Sequence, residues 1–123
     1  ISMMSYLIDL LKAQEDPING GTLLDHTSIL YGCGMAAGGH STRNLPLVLA
    51  GGGFKHGEHK VYPGPVLKNA KKPQRLVGQE QRLAEGVSEV PAANLLLSIL
   101  QNSGVEIDRF GSSSGTLAGL EWA

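Results

Sequence analysis

The chain has 123 residues, 41% apolar, 17% charged and 5% aromatic, with 10 basic against 11 acidic side chains and a net charge of −1. That balance excludes general nucleic-acid binding and a polybasic membrane patch, which need excess positive charge, and no apolar run approaches the ~18 residues of a membrane span. The single cysteine, Cys33, excludes an internal disulfide framework and a cysteine-rich zinc ribbon.

The chain opens on Ile1 and runs directly into Met3, Met4, Leu7, Ile8, Leu10 and Leu11, with Asp9 and Lys12 on the opposite face. That spacing predicts an amphipathic helix over residues 1–16, ending near Glu15-Asp16-Pro17. Neither a positive leader nor a small-residue cleavage site accompanies it. A helix entered partway along is expected of a piece of a longer protein. A turn-rich link, Pro17-Ile18-Asn19-Gly20-Gly21, follows.

Residues 27–53 form the expected core of two strands. The first, Thr27 to Gly32, is apolar and partly β-branched, as a buried strand should be. The second, Leu45 to Ala50, carries Pro46 at its beginning, where a missing donor does least harm. Between them lies a small-residue loop, Gly32 to Asn44, too rich in glycine for a helix. Gly51-Gly52-Gly53 closes the second strand as a tight turn needing positive φ; no Gly-Lys-Ser/Thr follows, so it is not a phosphate loop. Much of the glycine excess, 17 residues in all against an ordinary share of ~7%, falls in these two places.

Residues 54–90 read as an irregular basic loop, with a short helix over Gln79 to Glu85. Lys68, Lys71, Lys72 and Arg75 suit either a solvated loop or an anionic partner, with Glu80, Glu85 and Glu89 close behind. Residues 91–123 are helix and tail: Pro91 suits a first turn and Gly104 a C-terminal stop. The tail through Ser112, Ser113 and Ser114 is expected to be mobile, with an anion site built from backbone donors as its alternative. Buried-type strands mixed with amphipathic helices favour an α/β layer architecture. Two strands make a meagre sheet, so another segment or chain is expected to complete it.

Several strings resemble one bacterial family in that family's own order. They are Gly32-Cys33-Gly34-Met35, His40-Ser41-Thr42-Arg43-Asn44-Leu45-Pro46, Ala50-Gly51-Gly52-Gly53-Phe54-Lys55-His56-Gly57, and Asp108-Arg109-Phe110-Gly111-Ser112-Ser113-Ser114-Gly115-Thr116-Leu117. The family is domain of unknown function 1552, itself similar to the alkaline phosphatase and sulfatase superfamily. The resemblance implies that residues 1–123 are a single C-terminal segment of a larger α/β domain, a partial three-layer α/β/α sandwich of alkaline-phosphatase-like type. It implies a metal-dependent phosphate or sulfate ester hydrolase whose nucleophile lies outside this chain. It also implies a periplasmic or secreted protein whose partner is the N-terminal part of the same protein, or a second copy in a homo-oligomer. In active superfamily members an Asp-His metal pair follows the first of these strands. Here Gly32-Cys33-Gly34 stands there, and Asp25-His26 precedes the strand. That departure speaks for a non-catalytic binding or structural module of an envelope or secreted assembly.

The candidate chemistry centres on histidine. His40 follows a strand end, where ligands gather in open α/β sheets. His56 and His59 form H-x-x-H around Glu58 in a loop. Together the three suit a divalent metal (zinc, manganese or calcium), with an open position in the zinc case. Equally, each is an ordinary loop histidine. Arg43, Asn44 and Lys55 are the candidate substrate or anion contacts. Cys33, between glycines, is either an exposed nucleophile or a small buried hydrophobe. Neither His-Glu-x-x-His nor Gly-x-Ser-x-Gly occurs.

Overall fold

The computed structural model describes residues 1–36, 38, 40, 42, 45–60, 62 and 90–120. The expected helix over Gln79 to Glu85 and the basic stretch Lys68 to Arg75 lie outside them. Among the described residues the chain is a small α/β structure of two helices and a two-stranded antiparallel sheet.

Helix α1 spans Ser2–Ala13. Lys12 sits in its last turn, where positive charge complements the helix dipole. The helix stops short of the expected Glu15-Asp16-Pro17 boundary because the backbone turns extended at Gln14 (φ −99°, ψ 127°). Glu15 then bridges to Thr22, Leu23 N–H donates to the Gln14 carbonyl at 2.9 Å, and Asp16 N–H to the Gly21 carbonyl at 2.9 Å. Those bonds replace helical ones. Gly20 and Gly21, at φ 75° and 72°, let the loop double back.

Asp16 fastens this loop from within. Its Oδ1 accepts the backbone N–H groups of Ile18 (2.8 Å) and Asn19 (3.1 Å), and its Oδ2 accepts Asn19 Nδ2 at 2.9 Å. The carboxylate is buried, and these donors, with Asn19 Nδ2 the strongest, hold it below its ordinary pKa.

A 3₁₀ turn over Leu23–His26 comes next. Thr22 and Asp25 form a capping box: Asp25 Oδ2 accepts Thr22 N–H at 2.7 Å and Thr22 Oγ1 at 2.9 Å. This turn packs against both α1 and the second strand.

Strands β1 (Ser28–Gly32) and β2 (Leu47–Gly51) pair antiparallel, in the register Ser28 with Gly51 through Gly32 with Leu47. No helix occupies the described part of their connection, as the glycine content led one to expect. The register sorts the side chains. Ile29, Tyr31, Val48 and Ala50 share one face, and Leu30, Leu47 and Leu49 share the other. Both faces are therefore apolar. The strands are not buried as expected: Tyr31 is 45% exposed and Val48 50%, because among the described residues no further layer covers them.

Helix α2 spans Ala92–Asn102 after Pro91, and Gly104 ends it at φ 85°. It carries most of the described core, with Leu95 and Leu97 buried and Leu97 only 1% exposed; Phe54 is the third buried apolar side chain.

The tail is docked rather than mobile, and Asn94 is the reason. Asn94 Oδ1 accepts Ser114 N–H at 2.9 Å, and its Nδ2 donates to Ser114 Oγ at 3.2 Å. Ser98 Oγ accepts Leu117 N–H at 2.8 Å, and Tyr62 donates its hydroxyl to the Ala118 carbonyl at 2.7 Å. Buried Ser113 turns the segment back by accepting Phe110 N–H at 2.8 Å.

Candidate functional site

The turn at the end of β2 is where most of the described elements meet. Gly51, Gly52 and Gly53 hold φ of 71°, 68° and 73°, the left-handed region that the three-glycine run foretold. Space as well as φ demands glycine there. A Cβ on Gly51 would collide with the carbonyl oxygens of Thr27 and Leu24, and one on Gly52 with Ser28 Oγ. Gly52 N–H donates to the Leu24 carbonyl at 3.0 Å, tying β2 to the 3₁₀ turn. From α2, Asn102 Nδ2 donates to the Gly52 carbonyl at 2.8 Å. Asn102 Oδ1 is buried without a hydrogen-bond partner among the described residues.

His56 closes the same turn. Its Nε2 lies 2.8 Å from the Gly51 carbonyl. A carbonyl only accepts, so Nε2 is the donor here, and in the neutral imidazole with this tautomer Nδ1 keeps a lone pair. That is how a backbone carbonyl orients a metal-ligating histidine, and also how a loop histidine is simply satisfied.

The other candidates stand apart from this arrangement. His40 is exposed and is the one described non-glycine residue at positive φ, 59°. His59 is exposed. Among the described residues, which include all three of these histidines, no three His, Cys, Asp or Glu side chains gather in a group that could hold a metal ion. Lys55 pairs with Glu58 at 3.1 Å, and Lys60 reaches the same carboxylate. These two ammonium groups, Lys60 first, hold the Glu58 carboxyl below its usual range. Arg43 and Asn44 lie outside the described residues.

Cys33 is exposed, not the small buried hydrophobe considered for it, and its thiol donates to the Met35 carbonyl at 2.7 Å. Two of the backbone donors considered for an anion in the serine tail are spent internally, Ser113 N–H on the Phe110 carbonyl and Ser114 N–H on Asn94.

Four structural residues were not singled out by the sequence: Asp16, Thr22, Asp25 and Asn102. The Thr22–Asp25 box had a signal, since Thr-x-x-Asp ahead of a helical turn marks a capping box, and Asp16 had one in Asp-Pro-x-Asn, a turn sequence. Asn102 had none, because its partner Gly52 lies 50 residues away in the chain. No protein-family model matches the chain, and no curated protein and no solved structure matches it either.

Proposed function

We propose that this chain is a non-catalytic structural and docking module, one that completes a larger α/β layered domain of the alkaline-phosphatase and sulfatase kind in an envelope or secreted bacterial protein. One observation carries the reading: both faces of the two-stranded sheet are apolar, and Tyr31 and Val48, a cross-strand pair, stand open to solvent. Strands apolar on both faces are the pattern of sheets covered by layers on both sides. α1 presents apolar side chains of its own, for none of its residues is buried and Met3, Tyr6, Leu7 and Leu10 are exposed. Exposed apolar surface beyond scattered single residues marks an interaction site. The order of the sequence strings supports the superfamily part of the reading. The missing Asp-His pair after β1 supports its non-catalytic part.

The experiment is the association state of the chain with and without charge on the open pair. Tyr31→Lys with Val48→Lys should abolish self-association of the purified chain while leaving its helix content intact. A chain that is monomeric before the substitutions at every concentration would contradict the reading.

A second reading is favoured by His56. With Nε2–H held by the Gly51 carbonyl, its Nδ1 is an oriented donor atom for a divalent metal. In a hydrolase such a metal would stabilise charge on the ester's non-bridging oxygens. The described residues offer one oriented imidazole rather than an assembled set of three, so the module would supply part of a site completed elsewhere. Titration of the chain with zinc and with manganese tests this. Stoichiometric binding lost in His56→Ala and weakened in His40→Ala and His59→Ala supports it, and no binding by the wild type rejects it for this chain.

A further inference from the structure

The loop joining α1 to the 3₁₀ turn carries Asn19–Gly20 at its exposed tip. Where glycine follows asparagine, the next backbone nitrogen reaches the side-chain Cγ with least steric resistance, because glycine has no Cβ. Gly20 stands at φ 75°, with nothing within 4 Å of the place a Cβ would occupy. Both reacting groups are nonetheless tied to one residue. Gly20 N–H donates to the Asp16 carbonyl at 3.0 Å, and Asn19 Nδ2 donates to Asp16 Oδ2 at 2.9 Å.

We propose that Asn19–Gly20 is a spontaneous deamidation site that Asp16 holds shut, and that its reaction unlatches the joint between α1 and the 3₁₀ turn. In the first step Gly20 N gives up its proton and bonds to Asn19 Cγ. The Cγ–Nδ2 bond breaks, and the amide nitrogen leaves as ammonia carrying that proton. Water then opens the cyclic imide at either carbonyl, leaving aspartate or isoaspartate at position 19. No oxidant or enzyme is needed. While the loop is closed, the nucleophile is engaged at its N–H and the electrophile is held by its own amide, so ring closure requires both bonds to Asp16 to open first.

The product cannot restore the latch. Where Asn19 donated to the Asp16 carboxylate, a second carboxylate would face it, and a hydrogen bond becomes a like-charge contact. The same loop carries the Asp16–Gly21 and Leu23–Gln14 backbone bonds that seat the 3₁₀ turn beside α1. The change is one-way.

Incubation of the full chain at mildly alkaline pH, with peptide mapping by mass spectrometry that separates asparagine, aspartate and isoaspartate at position 19, tests the gate. Asp16→Ala should react at least about fivefold faster than wild type, the factor corresponding to one net hydrogen bond. Adding Gly20→Ala should slow it again. Equal rates in wild type and Asp16→Ala, or a rate indifferent to Gly20→Ala, would overturn the proposal. Because Asp16→Ala can loosen the loop as a whole, Asn19→Asp gives the independent arm with Asp16 in place. Amide exchange at Gly20 and Leu23 should then be faster than in wild type, and unchanged exchange would overturn the unlatching.

Discussion

At the scale of single residues, the described structure relies on short polar side chains that bind their own neighbourhood. Asp16 takes three hydrogen bonds within three residues of itself, and Asp25 takes two from Thr22. Both carboxylates are held below their ordinary pKa, Asp16 first by Asn19 and Asp25 first by the Thr22 backbone N–H. A carboxylate whose folded pKa is depressed contributes stability in full above the unfolded value of about 3.9, and that contribution is lost as pH falls through the folded value. Thermal melts should therefore show Asp16→Ala well below wild type at neutral pH, with the gap closing in acid below about pH 4; a gap that persists in acid would mean that the residue acts through packing alone. Gly52 makes the complementary case, of a residue chosen for what it lacks. Gly52→Ala forces a left-handed alanine, costing about 1–2 kcal/mol, and adds a collision with Ser28 Oγ. A denaturant titration should show a loss beyond that range, and an unchanged midpoint would contradict the tightness of the turn.

At the scale of elements, local pattern was legible and long-range bonding was not. The two strands, the left-handed triple-glycine turn, and α2 with Pro91 before it and Gly104 after it all follow from periodicity and from the chemistry of proline and glycine. The end of α1 falls short of Pro17, the first breaker in the sequence, because Gln14, Glu15 and Asp16 bond across to residues 21–23 instead of continuing the helix, a competition that periodicity does not register. The tail was misjudged for another reason. A serine- and glycine-rich segment reads as mobile by composition, yet Asn94 sits 20 residues before Ser114 and supplies both halves of its hydrogen-bonding. Asn94→Ala should cost about 0.5–1.5 kcal/mol for each net hydrogen bond it removes from Ser114, and should speed amide exchange at Ser114 and Leu117 together. Exchange unchanged at both would show that the tail is held by other contacts. Leu97→Ala, which removes the most deeply buried side chain of α2, should cost about 2–5 kcal/mol.

At the scale of the whole molecule, what stands out is how little of the apolar surface is used. Three apolar side chains are buried among the described residues, Phe54, Leu95 and Leu97, while Tyr31 and Val48 on the sheet and Met3, Tyr6, Leu7 and Leu10 on α1 face solvent. Polar residues hold the turns in shape, and the hydrophobic faces those turns present are left over for something else. The candidate histidines fit this division. His56 is spent, through Nε2, on the Gly51 carbonyl, where it helps to shape the turn at the sheet end, and His40 and His59 lie exposed. The sequence named these residues by type and spacing. Only the fold could show which of them shares a bond with the Gly51–Gly53 turn, since that depends on backbone carbonyl directions set by positive φ.

If the sheet faces are made to be covered, sedimentation velocity of the purified chain over rising concentration reads it out. The wild type should associate as concentration rises, and Tyr31→Lys with Val48→Lys should abolish this at unchanged helix content. A wild-type chain that sediments as a monomer across the whole range would contradict it.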